Sequence, residues 1–143
     1  MIYLDTSLVV SLYCLDANSA AAAAALQTAR SPLLITTFGE LETVNAFGLR
    51  VFRKELAGSQ VDAVRQNFEK DLRARVFLLR ELPPPALTRA RQLSQLTAKL
   101  GTRTADLLHV AAALELGATG FFTFDLQQRK MAQAAGLKLN RWP

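Results

Sequence analysis

Short, uncharged apolar runs alternate along this chain with longer segments in which apolar residues return every three or four positions. The first run, Ile2, Tyr3 and Leu4, suits a strand buried on both faces, and it stops at Asp5. Thr6 and Ser7 then offer hydroxyl caps to a short buried helix over residues 7 to 15, which Asp16 to Asn18 break. Residues 19 to 29, with six consecutive alanines, are helical by propensity and end at Arg30, Ser31 and Pro32. Leu33 to Thr37 reads as a second strand. Helical spacing of Leu41, Val44, Phe47 and Val51 predicts a helix from Glu40 to Leu56, and Gly58 with Ser59 opens another through Arg75. Val76 to Leu79 is a third strand, and Pro83 to Pro85 form a stiff connection into a helix over 86 to 100 that Gly101 ends. Ala105 to Leu116 is apolar nearly all round, the mark of a central buried helix. A fourth strand follows at Gly120 to Phe124, then a helix from Leu126 to Ala135 and an edge strand at Leu137 to Leu139.

Strands that alternate with helices imply an α/β fold in three layers, α/β/α, with a mostly parallel central sheet of four to five strands. No linker, internal repeat or composition break divides residues 1 to 143, and that length is ordinary for one domain. In such a sheet ligands bind beyond the carboxyl ends of the strands, where the winding direction reverses. If strand one is central and strand four lies beside it, Asp5 and Asp125 end neighbouring strands and meet at that edge. Each acid also has a structural reading. Asp5 can cap the helix after it. Asp125 can form a capping box with Gln128. Asp106 lies in the first turn of the buried helix, where the dipole favours an acid by ~0.3 to 1 kcal/mol. Glu42 lies in the first turn after strand two, with Glu40 two residues earlier, and residues two apart face different ways. Only one of the two glutamates can therefore enter the crevice.

Charge sharpens this. The chain carries 17 Lys and Arg against 12 Asp and Glu, for a net +5 and a pI near 9.9. Gathering four acids into one site leaves a more strongly basic remainder, which favours a polyanionic partner such as nucleic acid. The single cysteine, Cys14, allows no disulfide framework and points to a reducing compartment. No basic region precedes the first apolar stretch and no uncharged run reaches spanning length, so neither a signal peptide nor a membrane span is expected, and the expected location is cytoplasmic.

The segments MIYLDTS, ELETVNAF, RTADLLHVAAALELGA and FFTFD, in that order, resemble the acidic motifs of PIN-domain ribonucleases, most of all the VapC toxins of toxin-antitoxin pairs. The likeness runs over essentially the whole chain. It implies four site acids, Asp5, Glu42, Asp106 and Asp125, the second through the E-x-x-N-A of Glu42, Asn45 and Ala46. It also implies Thr6 or Ser7, Arg103 and Thr123 as hydroxyl and basic supports, with RNA as substrate and an antitoxin protein or a second copy of the chain as partner. The chemistry is consistent with this. Carboxylates crowded into one crevice either take up protons or bind a cation, and oxygen ligands select Mg²⁺ or Mn²⁺. One or two such ions, ~4 Å apart if paired, can activate water and stabilise both oxygens of an in-line displacement at phosphorus.

Other residues carry blander expectations. His109 is three residues from Asp106 on one helical face, but its apolar neighbours make it a buried, hydrogen-bonded core residue. Arg50, Arg53, Lys54, Arg65, Lys70, Arg73 and Arg75 form a solvated face with ion pairs to Glu55, Glu69 and Asp71, or a rim for phosphates. Val9, Val10, Leu12, Phe47 and Phe52 are expected mostly in the core, and the resemblance implies that some of this apolar content serves a dimer or an antitoxin peptide lying in a groove. Two alternatives belong to other classes: an inert PIN-like module that binds RNA or protein, and a receiver-type signalling domain. The receiver needs an Asp after strand three, where LLRELP has none.

Overall fold

The computed structural model describes residues 1–141. Its centre is a five-stranded sheet in the order β3-β2-β1-β4-β5, and every pairing in it is parallel. The strands are β1 (Ile2–Leu4), β2 (Leu33–Thr36), β3 (Leu78–Arg80), β4 (Gly120–Phe122) and β5 (Lys138–Leu139). The helices are α1 (Thr6–Tyr13), α2 (Ser19–Thr28), α3 (Thr37–Phe52), α4 (Gly58–Arg73), α5 (Ala86–Leu93), α6 (Thr97–Leu100), α7 (Thr104–Glu115) and α8 (Leu126–Ala134). The expected three-layer α/β/α architecture is therefore present, with β1 central and β4 beside it. Among the described residues no helix is long and apolar enough to cross a membrane.

Strand alternation divides the core into two faces. Tyr3, Leu34 and Phe121 point to one side, where Leu107, Val110 and the buried Ala111 to Ala113 of α7 meet Ala86 and Ala90 of α5 and Met131 of α8. Small residues let α7 lie close to the sheet. Leu4 and Ile35 point the other way, into Leu8, Val9, Phe47, Phe68 and Phe77. There Phe68 meets Tyr13 and Phe47 edge to face, at centroid distances of 5.3 and 6.0 Å. At the start of β4 a Cβ on Gly120 would stand 3.2 Å from Ile2 Cγ1, so a larger residue would require the Ile2 side chain to shift.

Several boundaries differ from expectation for local reasons. Thr36 caps α3 through Gly39 N, so this helix begins at Thr37, before Glu40. It ends at Phe52 because Lys54 turns left-handed, with φ 61°. Arg75, with φ 57°, closes α4, and the apolar Val76 and Phe77 fall in the exit before β3. Phe77 plugs the core at 2% exposure. The helix expected over 86 to 100 tightens into a 3-10 turn at Ser94–Leu96 before α6, and Gly101, with φ 68°, stops it. Phe52 is the clearest correction. It is 83% exposed and belongs to no core, because the helix ends on its outer face.

Candidate active site

The carboxyl ends of β1 and β4 open into a cavity of ≈ 440 Å³ whose walls include Asp5, Glu42, Asp106 and Asp125. Each acid arrives from a different element. Asp5 follows β1 and caps α1 through Leu8 N at 3.1 Å. Asp125 caps α8 through Gln127 N and Gln128 N, both at 2.8 Å. Asp106 sits in the first turn of α7 and Glu42 inside α3. Both strand-end acids thus cap the helices that follow them, each through Oδ1, although the capping box expected between Asp125 and Gln128 does not form. Of the two glutamates, Glu42 lines the cavity.

The four supports expected from the sequence all touch the acids. Thr6 Oγ1 donates to Glu42 Oε2 at 2.8 Å, and Ser7 Oγ donates to Asp5 Oδ1 at 2.8 Å. Thr123 Oγ1 accepts from Asp125 N at 2.9 Å and lies 3.3 Å from Ser7 Oγ. Arg103 reaches Asp106 Oδ2 with Nε at 2.9 Å and Asp125 Oδ2 with Nη2 at 3.1 Å.

The environments of these acids differ. Asp5 is 1% exposed. Burial pushes its carboxyl above the ordinary value of 3.8, against the pull of His109 and the hydrogen bonds of Ser7, Leu8 and Thr123. For Glu42 burial acts upward too, but hydrogen bonds from His109 and Thr6 and the His109 charge hold its pKa below the ordinary value. Asp106 is likewise lowered: burial opposes ionisation, and Arg103 and Gln128 outweigh it.

His109 is buried and hydrogen-bonded as expected, yet it does more than fill the core. Its Nε2 bonds Glu42 Oε2 and its Nδ1 lies 2.8 Å from Tyr3 Oη, which is 2.9 Å from Thr36 Oγ1. Thr36 Oγ1 also accepts from Gly39 N, so Thr36, Tyr3, His109 and Glu42 are linked in series from the sheet to the cavity. The central strand thereby orients a cavity carboxylate through an imidazole. Spacing three residues after Asp106 was the only sequence signal. Gln128 departs from its expected capping role: its Nε2 donates to Asp106 Oδ1 at 3.0 Å, so it does not reach back to its own helix cap, where Asp125 N is already taken by Thr123.

On the far wall stand Asp16, Asn18, Arg50 and Arg53. Arg50 pairs with Asp16 at 2.7 Å and loosely with Glu55 at 4.0 Å. Arg73 pairs with Glu69 at 3.6 Å, as expected, but Asp71 accepts from Tyr13 Oη at 2.7 Å and has no basic partner among the described residues. Among the described residues no three His, Cys, Asp or Glu side chains converge closely enough to hold a metal ion in this arrangement.

Comparison with known proteins places this architecture. The family model for the PIN domain matches residues 2–134. VapC20 of Mycobacterium tuberculosis, described as a sarcin-ricin loop cleaving toxin, superposes with a TM-score of 0.67 at 17% identity, covering 100% of both chains. FitAcB of Neisseria gonorrhoeae gives 0.73 at 16% identity, covering 99% of this chain and 97% of that one. VapBC2 of Rickettsia felis, solved with a DNA fragment from its promoter, gives 0.67 at 16% and 100% of both chains. At these identities the likeness is one of fold. No curated protein sequence matches.

Proposed function

This chain belongs to the PIN-domain family, and on that footing we propose that it is a divalent-metal-dependent endoribonuclease, the toxin of a toxin-antitoxin pair, acting in the cytoplasm as a single domain. One observation carries the reading: four acids from four separated segments of the chain line one cavity at the carboxyl edge of a parallel sheet.

The donor set suits Mg²⁺ or Mn²⁺ in its chemistry, since carboxylate oxygens predominate and the one nearby imidazole is committed to Tyr3 and Glu42. Asp5 supports this most directly, because a carboxylate this buried, with its pKa raised, gains from a cation beside it. Convergence of the set has one condition: the Arg103 guanidinium, now between Asp106 and Asp125, must withdraw. Asp5, Asp106 and Asp125 would then hold the ion, with Glu42 as a further ligand or as the acceptor that orients water. When bound, the ion supplies a lowered pKa for water and charge stabilisation at the phosphoryl oxygens. The chain's own share is positional. The His109 and Thr6 hydrogen bonds keep Glu42 ionised and aimed into the cavity. Thr123 and Ser7 tie the ends of β1 and β4 together, and the far wall brings Arg50 and Arg53 within the same cavity to meet the RNA backbone.

Partners follow the same argument. Two of the similar structures carry names of paired complexes, FitAcB and VapBC2, and here Leu41, Leu49 and Phe52 stand exposed along α3 with Leu15 exposed after α1. We assign that apolar face to an antitoxin protein, with a second copy of the chain as a further partner.

The test is incubation of purified protein with total RNA and Mg²⁺ or Mn²⁺, with EDTA and Asp5→Asn as controls. Cleavage lost in both controls is expected. Retention of RNA without cleavage by folded, antitoxin-free protein would instead make this an inert binding module.

A further inference from the structure

Between Asp106 and Asp125 the cavity already holds a cation, and it is part of the chain. Arg103 caps α7, and its backbone is fixed there: Arg103 N donates to Asp106 Oδ2 at 3.1 Å, and its carbonyl accepts from Leu107 N at 3.0 Å. Its guanidinium then turns inward and spans two carboxylates that come from different elements. Nε meets Asp106 Oδ2 at 2.9 Å, while Nη2 meets Asp106 Oδ1 at 3.3 Å and Asp125 Oδ2 at 3.1 Å. The planar fork of arginine matches such a pair; an ammonium would not.

Two features make this contact reversible. The Arg103 side chain is 73% exposed, against 3% for that of Asp106 and 26% for that of Asp125. Little packing therefore holds it in place. Both carboxylates also keep partners if it leaves: Asp106 retains Gln128 Nε2 and Arg103 N, and Asp125 retains the two amides of α8 on Oδ1. On Asp125 the oxygen that meets the guanidinium, Oδ2, is not the one that caps the helix.

We propose that Arg103 is a stand-in for the divalent ion, occupying Asp106 and Asp125 in the metal-free protein and competing with the ion for them. The proposal rests on the metal-dependent reading above and explains why no three ligating side chains converge in the present arrangement. Affinity for a ligand falls in proportion to the fraction of open sites, so a guanidinium in place nine times in ten weakens metal binding by about tenfold. The site would then load only above a threshold of free metal, set by one exposed side chain.

Calorimetry of Mn²⁺ binding, without RNA, tests this on the wild type, Arg103→Gln and Arg103→Lys. Arg103→Gln is expected to bind about tenfold tighter. Arg103→Lys keeps the charge but loses the fork, and should still bind roughly threefold tighter or more. Binding by Arg103→Gln where the wild type shows none would support the proposal most strongly. Tighter binding by Arg103→Gln but not by Arg103→Lys would reduce the effect to long-range charge and overturn it. Unchanged or weaker binding by Arg103→Gln, with the wild type loading normally, would overturn it and leave the nuclease reading standing. Absence of binding by all three would remove both.

Discussion

Asp106 and Asp125 share an exposed guanidinium, whereas Asp5 and Glu42, lining the same cavity, are met by hydroxyls, a backbone N–H and the buried ring of His109. The first pair is balanced by a side chain that can leave. The second is held by groups that cannot, because His109 is anchored through Tyr3 to Thr36 in the middle of the sheet. A cavity built this way has one fixed wall that defines geometry and one adjustable wall that admits a cation. The difference follows from burial: Tyr3, Thr36 and His109 are fully buried between the sheet and α7, while the Arg103 side chain at the start of α7 is largely exposed.

The largest expected contrast between the walls is in catalysis. Asp5→Asn should lower RNA cleavage by on the order of 10³ or more, since a group acting on the reacting centre is lost. A smaller loss than that of Asp125→Asn, measured in the same assay, would break the assignment of the fixed wall as the centre. His109→Gln should lower cleavage by about 10- to 100-fold, as expected for a residue that orients a ligand and does not touch substrate. Circular dichroism must show the variant folded, and Mn²⁺ affinity should fall with the rate.

Stability effects are smaller. Tyr3→Phe removes the hydroxyl between Thr36 and His109 and leaves a buried imidazole nitrogen unpaired, costing about 1–3 kcal/mol in urea unfolding. An unchanged midpoint would mean that the chain of hydrogen bonds contributes nothing to the fold. The smallest effect is a slope with pH in metal-free buffer. Asp5 has a raised pKa, so its contribution is fully present below the ordinary value of 3.8 and is lost as pH climbs through the raised value. Glu42 and Asp106 have lowered values, so theirs is present above the ordinary carboxylate range and is lost as pH falls through the lowered ones. Asp5→Asn should therefore remove the decline on the alkaline side of the stability profile and leave the acid side intact.

Period and punctuation carried most of the architecture. Short, mostly apolar runs closed by an acid located β1 and β4, and the run from Ala105, apolar nearly all round, located α7, because buried strands and helices leave few polar positions. Asp5 and Asp125 were visible for the same reason, since a carboxylate closing a buried strand is out of keeping with its surroundings; Asp106 stood out in the first turn of a buried helix, and Glu42 was separated from Glu40 by the family resemblance alone. What the sequence hid was set by distance along the chain. Gln128 looked like a cap for its own helix, but Thr123 takes that amide and the side chain crosses to Asp106, 22 positions away. His109 looked like core, and it is, but its two nitrogens serve residues 106 and 67 positions away. Val76 and Phe77 looked like a strand because apolar runs do not distinguish a strand from a plug. Phe52 looked buried because periodicity does not say where a helix stops.

The central position of β1 bears on how the molecule comes into being. Its pairing with β4 joins residues 2 to 4 to residues 120 to 122, so β1 leaves the ribosome well before the strand it pairs with. At ordinary elongation rates that interval is on the order of ten seconds. Throughout it the nascent polypeptide displays Asp5 and Glu42 without the opposite wall. Any fragment released before residue 120 lacks β4, Asp125 and α8, so premature termination yields a protein in which the two halves of the pocket never meet.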